Sequence, residues 1–305
     1  MSELPTLRPM TIGDILDQTF TLYRKHFKTL LGIVAVVNVP LLVLQTLGLL
    51  SLAPLFPTTL NTPPRTAPRA PFADIDPNWL GALVVGFISF FGLVVLVAII
   101  ANVFQQAALA LAISENYLGR AITVLEAYRR ALRYWRPLLL TLLLFLLGGL
   151  IWLPLFVILF IVIPCLGGIA FLSASALLFM RFVFTWQAIV LENTNGLGGL
   201  RRSWHLVGPF TAQPFWRVVG VFLLLSILVG AVTSGPSYLV GFTIAFLPSP
   251  MLGLVVNTAL TNLISLVVMP LSFTAQTLLY YDLRIRHEGF DLQMRAQQLS
   301  ARETS

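Results

Sequence analysis

Few residues in this chain have both the type and the setting for chemistry. Arg181 is the one charged residue deep inside an apolar run, flanked by Leu177, Leu178, Phe179, Phe182, Val183 and Phe184. At 1.5 Å per helical residue it should lie about 16 Å from Glu192, near the middle of a bilayer. An arginine there costs about 2.5–3.5 kcal/mol on insertion scales, so it should face the protein interior. Asn38 and Gln105 fall at a similar depth on two other runs, each 10 residues from the ends marked by Lys28 and Glu115. Converging faces would give Arg181 neutral acceptors but no carboxylate. Two readings follow. The amides satisfy the guanidinium and join helices, or the three residues form a pocket for a phosphate or a lipid headgroup.

Other chemistries lack their residues. His26, His205 and His287 lie in three separate polar segments, and none has a second histidine one helical turn away. No serine sits in a Gly-x-Ser-x-Gly setting, and there is no phosphate-binding glycine loop. Glu115, Glu192 and Asp282 close apolar runs and do not sit within them, which removes the usual carboxylate of a proton relay. The single cysteine, Cys165, excludes an internal disulfide. No metal, no cofactor and no catalytic machinery are expected.

The elements that must position these residues are apolar helices. Hydrophobic residues make up 57% of the 305 and charged residues 10%, far from soluble composition. Six apolar runs fall at about Leu30–Leu52, Leu80–Ile113, Leu138–Ile163, Leu166–Leu191, Val218–Leu239 and Leu252–Leu279, each long enough to span a bilayer. Pro40, Pro154, Pro236 and Pro270 should kink these helices or end them, and Gly235–Pro250 reads equally as helix or outer loop. The first run starts too late for a signal peptide. Segments 1–28, 114–137, 192–217 and the tail hold 16 basic residues, whereas the alternate loops hold only Arg65 and Arg69. That asymmetry places both termini in the cytoplasm and explains the net charge of +7 without nucleic acid. The segment 54–78 is proline-rich and reads as an extended outer connector.

A threefold pattern organises the basic segments. Thr11 with Asp14 and Thr123 with Glu126 read as helix caps followed by a first-turn acid. Ile12, Leu16, Phe20 and Tyr23 recur as Val124, Tyr128, Leu132 and Trp135, one apolar stripe per helix. A third copy begins at Asn195 with Leu200, Trp204 and Val207, and its Gly196, Gly198 and Gly199 make it a poorer helix. The basic residues Arg129, Arg130, Arg133 and Arg136 of the second copy, and Arg201 and Arg202 of the third, should face anionic headgroups, each contributing roughly 1 kcal/mol near such a surface. Amphipathic helices near 11–28, 123–136 and 195–207 should lie in the cytoplasmic interface. Each precedes two spans.

The opening Leu7-Arg8-Pro9-Met10-Thr11-Ile12-Gly13-Asp14-Ile15-Leu16-Asp17 with Leu22-Tyr23-Arg24 resembles a bacterial family, the membrane domain of glycerophosphoryl diester phosphodiesterases. So do Val190-Leu191-Glu192, Arg201-Arg202-Ser203-Trp204, Phe215-Trp216-Arg217 and the tail Tyr280-Tyr281-Asp282-Leu283-Arg284-Ile285-Arg286 with Glu288-Gly289-Phe290-Asp291-Leu292. Gln187, where that pattern has proline, and the extra residues at Pro209–Pro214 depart from it. The resemblance implies a membrane module that in fused members precedes a metal-dependent catalytic barrel. Nothing here resembles that barrel, and Glu192-Asn193-Thr194 echoes its Glu-Asn-Thr motif only by coincidence. The expectation is an all-α polytopic bundle of six spans in three repeats: a single membrane domain over 1–286 and a cytoplasmic tail over 287–305. It should serve in a bacterial cytoplasmic membrane as a non-catalytic scaffold or lipid-interacting module. The alternative is a transporter or channel for an anionic amphiphile with Arg181, Asn38 and Gln105 as its site. Expected partners are anionic membrane lipids, with a membrane-protein partner or a second copy as further alternatives.

Overall fold

The computed structural model describes residues 10–51, 77–244 and 250–288. Among them all regular structure is helical, in the order α1 (Ile12–Lys25), α2 (Phe27–Ser51), α3 (Pro77–Tyr117), α4 (Val124–Ala131), a 3-10 turn (Leu132–Tyr134), α5 (Trp135–Val162), α6 (Pro164–Phe182), α7 (Thr185–Leu191), α8 (Gly196–Val207), α9 (Gln213–Ile244) and α10 (Pro250–Glu288). Six helical stretches are long and apolar enough to cross a membrane, so this is a multi-pass membrane protein with an all-α bundle fold. None of the four prolines ends a helix: Pro40, Pro154, Pro236 and Pro270 all lie inside one. Residues Gly235–Ile244 extend α9. The proline-rich connector, apart from its last two residues in α3, and the tail beyond Glu288 lie outside the described residues.

The threefold element order is present: a short amphipathic helix followed by two long apolar passages, three times. Each short helix starts on the side-chain cap that its sequence carries. Thr11 accepts from the Asp14 amide within a full capping box, Thr123 from the Glu126 amide and Asn195 from the Gly198 amide. Each cap satisfies one of the amides that a helix start leaves without a partner. Helix α8 also buries Gly196, Leu206 and Val207, but in all three helices the positions four and eight residues after the cap are buried. These are Ile15 and Thr19, Ala127 and Ala131, Gly199 and Ser203. Nine residues after the cap stand Phe20, Leu132 and Trp204, all exposed. One large residue of each stripe therefore stands outside the buried face.

The glycines of α8 serve close packing, which is why this poor helix former is still a 12-residue helix. A Cβ on Gly199 would stand 2.5 Å from Ile189 Cγ1, and one on Gly196 would stand 2.7 Å from Thr141 Oγ1. The backbone of α8 thus lies directly against α7 and α5. That close approach offsets the roughly 1 kcal/mol per glycine lost in helix propensity.

The chain divides into two units. One holds Met1–Val34, Asn102–Gly230 and Val267–Ser305; the other holds Ala35–Ala101 and Ala231–Leu266. In the first, a core of Met10, Ile15, Phe184, Leu206, Phe215, Leu279 and Tyr280 ties α1, α8, α9 and α10 to the α6–α7 junction. Helix α1 runs antiparallel along α10: Met10 N–H donates to Asp282 Oδ1 at 2.7 Å, and the Tyr23 hydroxyl donates to the Val267 carbonyl at 2.7 Å. Those two levels are 15 residues apart on α10, about 22 Å of helix. In the second unit, Asn262 Nδ2 donates to Gln45 Oε1 at 3.2 Å.

Candidate functional site

Polar side chains of the first unit collect at two places. The first is a set of three ion-paired junctions that joins the repeats in sequence order. Glu115, closing the first repeat, meets Arg130 of α4 at 3.1 Å. Glu192, closing the second, meets Arg202 of α8 at 2.7 Å. Asp282, near the end of the third, takes the Met10 amide just ahead of α1. The series therefore closes on itself. Both arginines stand seven residues after their caps. The corresponding residue of the first copy is Gln18, whose Oε1 is buried without a hydrogen bond.

At that third junction other chain segments supply the cations. Arg217 Nε donates to Asp282 Oδ2 at 2.8 Å, and Arg286 Nε lies 3.0 Å from the same oxygen. Both guanidiniums also donate to the Met10 carbonyl. Asp282 is fully buried, which a carboxylate tolerates only when its oxygens are paired this way. At the second junction Glu192 also accepts from the Tyr280 hydroxyl and lies 3.3 Å from Arg284. Arg202 reaches on to Glu288 at 2.5 Å. Partial burial works against the charged form of Arg202, but its bonds to Glu288 and Glu192 outweigh that and raise its pKa.

The second place is Arg181. The apolar pattern reads α6 and α7 as one helix and puts Arg181 on a straight rise above Glu192; the structure breaks that helix between Phe182 and Thr185. No proline or glycine marks the break. One local and two distant side chains bond the backbone there instead. The carbonyl of Arg181 accepts from Ser203 Oγ at 2.7 Å, that of Phe182 from Thr185 Oγ1 at 2.6 Å and that of Val183 from Gln276 Nε2 at 2.6 Å. The Phe184 amide donates back to Ser203 Oγ at 3.1 Å. The groups that the break frees are thus satisfied in the interior, as buried backbone must be.

Ser203 brings α8 to the level of Arg181, and with it Trp204. The guanidinium carbon lies 3.9 Å from the centre of the Trp204 ring and 4.3 Å from that of Phe210. Gly208, at φ 71°, turns the chain between these two rings in a conformation that favours glycine. Arg181 is 6% exposed. Among the described residues its side chain makes no ion pair or hydrogen bond, and its Nε is buried without a partner. Each cation–π contact contributes about 0.5–2 kcal/mol, so the two together offset part of the cost of withdrawing the guanidinium from water. Stacking leaves the in-plane donors unanswered, however, at about 1–3 kcal/mol for each one buried without an acceptor.

The expected convergence of amides on Arg181 is therefore replaced by aromatic faces. Gln105 is buried and donates to Met269 Sδ at 3.2 Å. Asn38 belongs to the other unit. Of the basic residues expected at the surface, Arg129, Arg133, Arg136 and Arg201 are exposed and have no acidic partner among the described residues; Arg136 stacks on Trp135 at 5.3 Å. Arg130 and Arg202 are taken up by the junctions. Glu192-Asn193-Thr194 is the end of α7: Asn193 has φ 54°, and Thr194 Oγ1 donates to the Ala188 carbonyl at 3.2 Å. Among the described residues no three His, Cys, Asp or Glu side chains gather as a metal site.

Sequence reasoning missed the Asp282–Arg217–Arg286 cluster and the Trp204–Phe210 clamp. The i, i+4 spacing of Asp282 and Arg286 and the matching positions of Arg130 and Arg202 were readable signals for the first. The second had none, because Arg181 and Phe210 meet only through the break after Phe182 and the turn at Gly208. Compared with family models, curated proteins and solved structures, the chain has no match.

Proposed function

We infer that this is a non-catalytic, lipid-interacting scaffold of a bacterial cytoplasmic membrane, with both termini in the cytoplasm. The observation that carries the reading is the closed series of junctions. The acids that end the three repeats, Glu115, Glu192 and Asp282, are all tied to arginines or to the chain start. Carboxylates held this way fix helix positions and are poorly suited to carry a proton or cation through a cycle. Arg129, Arg133, Arg136 and Arg201 remain at the surface to meet anionic headgroups. The 16-to-2 distribution of basic residues supports the orientation. The Leu7–Asp17 opening and the Tyr280–Arg286 tail motif support kinship with the glycerophosphodiesterase membrane domain, without its hydrolytic activity.

The transport alternative asks for a polar constellation of Arg181, Asn38 and Gln105. Arg181 lies against two rings and bonds to no side-chain amide among the described residues, which favours the scaffold. The test is thermal stability of purified protein in neutral detergent, titrated with phosphatidylglycerol or phosphatidylcholine. The scaffold reading expects stabilisation by the anionic lipid that largely vanishes when Arg129, Arg133, Arg136 and Arg201 are all changed to glutamine. Saturable uptake of a labelled anionic amphiphile into proteoliposomes would overturn it in favour of transport. Orientation is tested separately with Thr66→Cys and Gln298→Cys in a Cys165→Ser background; labelling of both from one side refutes it.

A further inference from the structure

Arg181 is a permanent cation, nine-tenths buried, with no carboxylate and no hydrogen-bond acceptor for its side chain among the described residues. Its environment also dictates how an acceptor must approach. Its guanidinium carbon lies 3.9 Å from the Trp204 ring centre and 4.3 Å from that of Phe210, and Nε is buried without a partner. What remains is the in-plane edge carrying Nη1 and Nη2, the edge that matches two oxygens of a phosphate or carboxylate.

The surroundings indicate which anion. Trp204 is 40% exposed and Phe210 45% exposed, so the clamp is formed by aromatic residues that also reach the outer surface. Leu177, one helical turn from Arg181 on α6, is a partly exposed apolar residue on the same face. Arg201, one turn before Trp204 and His205 on α8, adds an exposed cation to that face. Buried arginine, aromatic rings at the surface, an apolar strip to one side and a second cation together suit a phospholipid, with phosphate at the arginine and an acyl chain along the strip.

We propose that Arg181, clamped between Trp204 and Phe210, binds the phosphodiester group of one anionic phospholipid. The proposal rests on the lipid-interacting reading above and narrows it to a single site. Arg181 supplies the bidentate contact, the two rings hold the guanidinium plane in position, and Arg201 raises the local concentration of anionic headgroups. Ser203 positions the site by bonding the Arg181 carbonyl.

The test is native mass spectrometry of the full-length protein in detergent with added phosphatidylglycerol, diacylglycerol or inorganic phosphate. The wild type should retain one saturable phosphatidylglycerol and no diacylglycerol, since the latter lacks the phosphate. Millimolar inorganic phosphate should not displace it; displacement would overturn the lipid assignment in favour of a free phosphate site. Arg181→Leu should weaken the single binding event at least tenfold. Arg181→Lys, which keeps the charge and loses the fork, should weaken it several-fold, and it keeps the test decisive should the leucine variant not fold. Phe210→Leu should weaken binding with Arg181 present. Wild-type affinity in a folded Arg181→Leu or Arg181→Lys protein overturns the site. If phosphatidylglycerol still stabilises that variant through the surface arginines, the scaffold reading survives the loss of the site. If the wild type neither binds nor is stabilised by the lipid, both fail.

Discussion

Arg202 and Arg181 lie 21 residues apart, and each is withdrawn from solvent, yet they are accommodated by opposite means. Arg202 sits between Glu192 and Glu288, at 2.7 and 2.5 Å. Arg181 sits between Trp204 and Phe210, with no acid beside it among the described residues. A guanidinium held by carboxylates has its charge answered inside the protein. One held against rings keeps its in-plane donors for another partner. The first arrangement builds structure; the second leaves a cation in reserve. The Asp282 cluster carries the first arrangement furthest, because there the carboxylate is fully buried and two arginines and a backbone amide depend on it.

Breaking the carboxylate side of this contrast should have the largest effect. Asp282→Asn leaves Arg217 and Arg286 beside each other without an anion, and loss of one member of a buried pair costs about 3–5 kcal/mol. Its melting temperature in detergent should fall steeply, whereas Arg181→Leu, measured without added lipid, should stay within about 1 kcal/mol of wild type because it removes a charge that has no ion-pair partner. Equal losses in the two variants would erase the distinction. Next comes Glu192→Gln, which weakens contacts to Arg202, Arg284 and Tyr280. The two arginines are less deeply buried than Asp282, so a loss of about 2–3 kcal/mol is expected in the same assay, near the strength of charged hydrogen bonds.

Gly199→Ala sharpens the comparison by shifting α8, which carries residues of both sites. Its Cβ would stand 2.5 Å from Ile189 Cγ1 and 3.2 Å from the Thr185 carbonyl. Ile189 can move but the carbonyl cannot, so overpacking should cost about 1–3 kcal/mol and should also weaken lipid retention at Arg181. Normal retention in a destabilised variant would uncouple the two sites.

The smallest effect should come from His26, which ends α1 away from both sites. Burial, and then the neighbouring charge of Lys25, lower its pKa below 6.5, and its Nε2 is buried without a partner. A base with a lowered folded-state pKa takes up a proton more readily when unfolded. Its contribution is therefore complete above about pH 6.5 and is lost as pH falls from there towards the lowered value. A stability profile in detergent should show a slight acid-side decline that His26→Gln flattens. An unchanged profile in that variant would assign the decline to other groups.

Six long apolar helices, their order and the three caps were legible in the residues themselves, because hydropathy, spacing and capping are local properties. Thr11, Thr123 and Asn195 each start a helix by bonding an amide three residues away, and no distant partner is needed to see it. The 16-to-2 charge count is likewise a property of composition along the chain. The sites belong to another level. Met10 meets Asp282 across 272 residues, and Ser203 reaches the Arg181 carbonyl across 22. The break after Phe182 has no proline or glycine to announce it; it persists because Ser203, Thr185 and Gln276 satisfy the backbone carbonyls it frees. With it, α8 and the Gly208 turn bring two aromatic rings onto the guanidinium. Local physics therefore determined which helices form, and, apart from the i, i+4 pair of Asp282 and Arg286, long-range packing decided which partner each buried charge received.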